Sequence, residues 1–300
     1  MYYIVFGLLY TISLLPLWIL YRLSDLAFVI IYYILRYRRD VVDDNLLHAF
    51  PEKSDAERKR IARKFYRCFC DNWIETIKLF SISKKALLKR ISGDFSVYSE
   101  VYATGRSLQG NYGHFFNWEI QGRAVTLKQP YIHLAAYFPQ KSVIADRLTK
   151  YSRTKWGSPM IASTEMARAI IPWRKKQYAI ALIADQSLQT PESGYWLNFM
   201  GRPACFVKGP EKFARGQNMV VTMTTTTRKK RGYYNFDTFL VTKDVTSLPD
   251  GELMRLYVKH LEENIRLQPE LYLWSHRRWK HAWKPEYEKL WVGSDPAPKN

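Results

Sequence analysis

The first 21 residues, MYYIVFGLLYTISLLPLWILY, contain no charged side chain; the first is Arg22. A helix of that length can cross the ~30 Å hydrocarbon layer of a bilayer, so this opening must be placed against lipid or inside a core. It lacks the basic n-region and the small-residue cleavage site of a removed signal peptide. Pro16 kinks such a helix, and Thr11 and Ser13 make it less oily than a typical span. A second apolar run, LAFVIIYYILRYRR (26–39), is too short to cross alone and is expected at the interface or packed on the domain. Arg22, Arg36, Arg38 and Arg39 follow the two runs and place the remainder in the cytoplasm. Residues 1–37 are therefore read as a membrane anchor with an interfacial helix. The competing reading is a buried N-terminal helix pair.

Beyond residue 38 the pattern alternates between helix and strand. Ser54-Asp-Ala-Glu57 is a capping box, and Ala62, Tyr66, Phe69, Trp73, Ile77 and Phe80 recur at helical spacing behind it. Short helices are expected near 83–91 and 95–104. SLQGNYG (107–113) reads as a strand ending in a turn, and FFNWEIQGRAV as the helix that follows. YIHLAAY (131–137) is a strand, 142–156 an amphipathic helix, and EMARAIIPWRKK (165–176) a helix stopped near Pro172. YAIALIAD (178–185) is an apolar strand of the buried parallel kind. Residues 218–242 read as a β-hairpin around RKKRG (228–232), taken as an exposed turn, and 249–269 as a long helix. This order predicts an α/β fold: one domain, 38–292, with a mostly parallel mixed sheet flanked by helices. VGSDPAPKN at the end has the composition of a disordered tail, 293–300.

The formal charge is +19, which calls for an anionic partner: nucleic acid, anionic lipid, a phosphorylated substrate or an acidic carrier protein. No nucleic-acid recognition motif accompanies the charge, and an N-terminal anchor would serve no purpose there. Cys68, Cys70 and Cys205 form no framework; Cys68 and Cys70 lie two apart on a helix and point in different directions. A Cys-x-Cys pair without a second pair or a nearby histidine is a poor zinc site, so no metal is expected. Reduced thiols on the cytoplasmic side are the simplest reading.

No Walker A sequence, dinucleotide Gly fingerprint or His-Glu-x-x-His pair is present. GRSLQG misses the nucleophile-elbow pattern by one position, which disfavours a serine hydrolase. His114, in NYGHFFNWE, stands just beyond the carboxyl end of a strand, where active-site groups concentrate in open α/β folds. Imidazole suits general-base work, and a carboxylate on its other ring nitrogen fixes the tautomer. Glu119 lies five residues on, a rotation of roughly 140° along a regular helix. The two side chains meet only if His114 sits in the turn before the helix, which Gly113 would permit. On spacing alone, a histidine capping a helix remains the plainer alternative.

NYGHFFNWE resembles the His-x4-Glu motif of the late lipid A acyltransferases, the lauroyl/myristoyl transferase family of Gram-negative bacteria. Further stretches are similar to that family in order: RRDVVDDNLLHAFPEKSDAER (38–58), DRLTKYSRTKWG (146–157), ALIADQS (181–187), NFMGRPACFVKGPEKFAR (198–215) and QPELYLWSHRRWK (268–280). The resemblance implies transfer of an acyl chain to a hydroxyl of an anionic lipid A precursor at the cytoplasmic face of the inner membrane. Acyl carrier protein thioester is the implied donor, or acyl-CoA, with no cofactor, no metal and no nucleic acid. It implies catalytic roles for His114, Glu119 and Asp185, either carboxylate orienting the imidazole. It places Arg153, Asn117, Arg277, Arg278 and Lys280 at the substrate, although a solvated helix face suits Arg153 equally well. Trp274 and Trp279 also read as core anchors with the neighbouring charges merely solvated. The wider glycerolipid group usually carries Asp where this chain has Glu119; its acceptors, a lysophospholipid, an aminolipid or another glycolipid, are the alternatives. Phe116 stands where the family usually has glycine, which leaves the acyl chain and the acceptor position open.

Overall fold

In a computed structural model, which describes residues 1–299, the apolar opening is two helices. α1 (Tyr2–Leu14) ends before Pro16, and α2 (Leu17–Val29) begins with that proline at its N-cap and continues as a π-helical stretch, Ile30–Ile34. The expectation of one span over residues 1–21 is corrected: proline has no N–H to continue α1. The segment long and apolar enough to cross a membrane is instead Leu17–Ile34.

α3 (Arg39–Ala49) and α4 (Asp55–Lys78) follow. The capping box forms as read: Glu57 N–H donates to Ser54 Oγ at 3.3 Å, and Ser54 N–H to Glu57 Oε2 at 2.9 Å. Next come α5 (Lys84–Leu88), β1 (Ile91–Ser92), α6 (Ser96–Tyr102), β2 (Leu108–Tyr112), α7 (Trp118–Lys128), β3 (Ile132–Tyr137), α8 (Val143–Thr154) and β4 (Met160–Ala162). The helix expected over 165–176 shrinks to one turn, α9 (Met166–Ala169), with 3-10 turns on either side and Pro172 in the second. β5 (Tyr178–Ile183), β6 (Tyr195–Phe199), β7 (Arg202–Phe206), α10 (Gly209–Gly216), β8 (Val220–Lys230), β9 (Tyr233–Thr242) and α11 (Glu252–Leu267) complete the order.

Seven strands form one sheet, β1-β9-β8-β2-β5-β3-β4, parallel throughout except for the β8–β9 hairpin. The predicted mostly parallel α/β sheet is therefore what forms. β5 shows why its sequence is apolar on both sides. Tyr178, Ile180 and Leu182 face a core shared with α3, α4 and α11, whereas Ala179 faces a second core with α6 and α7. β6 and β7 form a separate hairpin that the sequence reading did not anticipate. Its turn, Met200-Gly201, has both residues at positive φ, and Met200 N–H donates to Glu262 at 2.6 Å.

RKKRG is not the exposed turn expected. Arg228 and Arg231 fold inward onto Asp71 at 2.6 Å each, and Arg231 also reaches Asp25 at 2.8 Å. With Ser24 Oγ donating to Asp71 at 2.7 Å and Tyr21 Oη to Glu75 at 3.0 Å, these bonds fasten the polar face of α2 to α4. Trp18, Leu26, Ile34 and Leu35 of this helical segment stay exposed, as do Tyr3, Ile4 and Leu8 of α1. The three cysteines are free and buried. The tail read as 293–300 reaches residue 300, outside the described residues; 293–299 carry no helix or strand.

Candidate active site

β2 and β5 are adjacent and parallel, with Tyr112 opposite Ile183 at their carboxyl ends. Two residues further along each strand this register sets His114 against Asp185. His114 Nδ1 lies 2.5 Å from Asp185 Oδ1, and the His114 backbone N–H donates to Oδ2 at 2.9 Å. Asp185 is buried and takes a donor on each oxygen. Burial raises its pKa, but the charge and hydrogen bonds of His114 outweigh that and hold the carboxyl below its usual range. Nε2 is the ring nitrogen left on the exposed side, 3.4 Å from the Gln186 amide nitrogen; in the tautomer whose Nδ1–H donates to Asp185 it is the acceptor.

Gly113 serves this turn differently from the expectation. Its φ is not positive; a Cβ there would meet Leu261 Cδ1 at 2.5 Å and the Phe115 ring at 2.7 Å. The residue is small because the turn packs against α11, not because the backbone needs freedom.

The C-terminal signature forms the other side of the turn. Phe115 pairs with Tyr272 as an antiparallel bridge, Phe116 N–H donates to Leu271 O at 2.9 Å, and Leu273 N–H to His114 O at 3.1 Å. The 38–58 stretch holds that signature in turn, through Arg38 to Ser275 O and Asn45 to Trp274 O and His276 O. Three stretches remote in sequence thus assemble one ledge for His114.

Glu119 is buried in the first turn of α7, and among the described residues no hydrogen bond or ion pair joins it to His114. Arg123 Nη1 reaches its Oε2 at 2.6 Å and Arg153 Nη2 its Oε1 at 2.5 Å. Burial pushes this carboxyl up, but the charges of Arg153 and Arg123 prevail and take it down to about 2. At Arg153 the attraction of Glu119 exceeds burial and raises the pKa; at fully buried Arg123 burial wins and lowers it. Arg123 was not singled out in the sequence, although its i, i+4 spacing from Glu119 on one helix was a usable signal.

The remaining sequence candidates separate. Asn117 is buried, not a surface contact: its Oδ1 caps α7 by accepting from Glu119 and Ile120 N–H, and its Nδ2 donates to Glu75 at 3.0 Å. Arg278 is buried too, donating to Cys205 O at 2.6 Å and lying 3.8 Å over the Phe206 ring. Both are corrected from substrate contacts to struts, since neither side chain reaches the surface. Arg277 and Lys280 are exposed, and Trp274 is core as its alternative reading had it.

A cleft of about 70 Å3 is walled by Tyr112 and Ile183 at the strand ends and by Trp118, Glu119, Arg123 and Arg153; neither His114 nor Asp185 is in its wall. Trp118 stands against the His114 ring, centroids 5.5 Å apart, and lines the cleft as well. A histidine paired with a buried carboxylate, one tryptophan away from a cleft carrying two arginines, is equipped to take a proton near a place that can hold an anion.

Comparison with known proteins points to one chemistry. The chain is 25% identical over 259 residues to the lipid A biosynthesis palmitoleoyltransferase of Escherichia coli K12, covering 82% of this chain and 80% of the relative. A lipid A biosynthesis acyltransferase of Shigella flexneri matches equally well. Likeness to the lipid A biosynthesis lauroyltransferase of Escherichia coli K12 is 23% over 277 residues, covering 91% and 89%. The family described as bacterial lipid A biosynthesis acyltransferase matches residues 1–281, from α1 through the ledge under His114, and the chain belongs to that family.

Proposed function

We propose that this protein, an acyltransferase of lipid A biosynthesis by family, moves a fatty acyl chain from an acyl carrier protein thioester to a hydroxyl of a lipid A precursor. His114 is the general base. The observation that carries this reading is the His114–Asp185 pair, with Trp118 packed against the imidazole and lining the cleft. Nε2 takes the acceptor hydroxyl proton as its oxygen attacks the thioester carbonyl carbon. Collapse of the tetrahedral adduct breaks the C–S bond, and the imidazolium returns the proton to the departing thiolate. Ester and thiol replace alcohol and thioester, with no acyl-enzyme. Glu119 is not the partner of His114 in this scheme; it holds Arg123 and Arg153 in a cluster of net positive charge for an anionic oxygen of the substrate. Replacing His114 by Ala should lower transfer by about 10⁴-fold while the protein stays folded. Full activity in that variant, measured by mass spectrometry of the acylated acceptor, would sink the assignment.

The membrane part of the reading follows from α2. We read the chain as docked at the cytoplasmic face of the inner membrane with α1 and α2 lying in the interface rather than crossing it; the bonds from the polar side of α2 to α4 and Arg231 support this reading. Flotation with neutral vesicles tests this. Changing Trp18, Leu26 and Ile34 together to Ser should abolish binding, and unchanged flotation would exclude these helices as the docking face.

A further inference from the structure

A second cavity, about 270 Å3, lies where α2, α4, the β8–β9 turn and the segment after α11 meet, and neither His114 nor Glu119 lines it. Its walls carry five cations, Lys64, Arg67, Arg228, Lys230 and Arg231, against three carboxylates, Asp25, Asp71 and Glu270, an excess of two positive charges. The charges are layered. Deep in the cavity Asp71 takes up Arg228 and the head of Arg231, and further out Arg231 also pairs with the part-exposed Asp25. At the exposed rim Lys64, Arg67 and Lys230 have no ion-pair partner among the described residues, and Glu270 opposes them alone. Arg67 lies 4.9 Å over Phe28 and Lys230 4.4 Å over Tyr233, contacts that position both cations without neutralising them.

We infer that this cavity binds the phosphate of an anionic lipid headgroup. A guanidinium and two ammonium groups around an open, protein-walled cavity concentrate the field and match phosphate oxygens. The lipid source follows from position. Asp25 on the cavity wall belongs to α2, where exposed Trp18, seven residues earlier, lies on nearly the same side of the helix and exposed Leu26 follows directly. The site therefore sits on the element proposed to lie in the membrane interface, and the inference rests on that reading.

The test uses the full chain with vesicles of phosphatidylcholine alone or mixed with phosphatidylglycerol. Lys64→Ala/Arg67→Ala/Lys230→Ala removes the rim; Lys84→Ala/Lys85→Ala/Lys89→Ala, at exposed positions around α5, removes equal charge elsewhere. Wild type should bind phosphatidylglycerol vesicles at least about tenfold more tightly than neutral ones. The rim variant should lose that gain while the control stays within about threefold of wild type. Equal loss in both variants, or no gain in wild type, overturns the site. Displacement from the mixed vesicles by millimolar inorganic phosphate would assign the cavity to free phosphate and overturn the headgroup. Failure of wild type to bind neutral vesicles falls on the interfacial helices alone, because a phosphatidylglycerol-dependent gain confined to the rim still supports the cavity.

Discussion

Asp185 and Glu119 are both buried carboxylates and both held ionised, yet their surroundings give them different work. Asp185 accepts two N–H groups from one residue, His114, through its ring and its backbone. Glu119 accepts from two arginines on two helices. One carboxylate is matched to a group that gains and loses a proton, the other to cations that stay charged at any working pH. Glu119 is the nearer to His114 in sequence, and Asp185, 71 residues away, is the nearer in space. Proximity along the chain identified a candidate spacing but not the pair that forms.

Asp185→Asn gives the largest contrast. The carboxylate meets both His114 donors with acceptors, whereas the amide has one acceptor oxygen and an NH2 group. Either the backbone N–H loses its partner or the ring turns to the tautomer that carries its proton on Nε2, which cannot act as base. Transfer should fall by about a thousandfold with the substrate KM little changed. Wild-type kcat in Asp185→Asn would return the orienting role to Glu119.

Glu119→Gln should act chiefly on stability. Neutralising this carboxylate leaves buried Arg123 and part-exposed Arg153 without their counter-ion, a change worth about 3–5 kcal/mol. A urea melt at constant slope measures it. The residual activity of the folded fraction should keep the wild-type pH profile. A profile displaced by Glu119→Gln would show that Glu119 couples to the proton transfer after all.

The same pair predicts a pH window. Glu119 has a folded pKa of about 2 against ~4.5 when unfolded, so its contribution is fully present above that unfolded value and is lost as pH falls toward 2. The difference amounts to about 3 kcal/mol. The stability gap between wild type and Glu119→Gln should therefore narrow from pH 5 to pH 3. A constant gap over that range would mean that the cluster does not hold the carboxylate ionised.

What the sequence disclosed follows the range of the forces involved. Local patterns were readable: the capping box of α4, the apolar strand at 178–183 and the alternation that set the sheet. Elements too short to show a period were missed, as with β1 and β4. The β6–β7 turn was missed because Met200 sits at positive φ with support from Glu262, sixty-two positions away. Arg228 and Arg231 looked like a solvated turn because Asp71 and Asp25 are remote in sequence. The choice between Glu119 and Asp185 needed the β2–β5 register, which no single strand contains. The resemblance brought His114, Asp185 and Glu119 onto one page; only the fold sorted them into separate partnerships.

The smallest predicted effect tests how tightly the His114 turn is held. In Gly113→Ala the new methyl would lie 2.5 Å from Leu261 Cδ1 and 2.7 Å from the Phe115 ring. Both contacts must relax, at about 1–2 kcal/mol for overpacking of one carbon. Because Phe115 bridges Tyr272 and adjoins His114, the relaxation should shift the imidazole against Asp185 and lower kcat about tenfold. Leu261→Val removes a carbon at the point of collision and alone costs about 1 kcal/mol. Combined, the two substitutions should destabilise by less than their sum, a coupling of about 1 kcal/mol measurable in a double-mutant cycle, with activity partly restored. Strict additivity would mean that the turn is limited by its own backbone and not by α11. Glu119, in the first turn of the next helix and anchored to Arg123 and Arg153, should keep its contribution to acid stability unchanged in both variants.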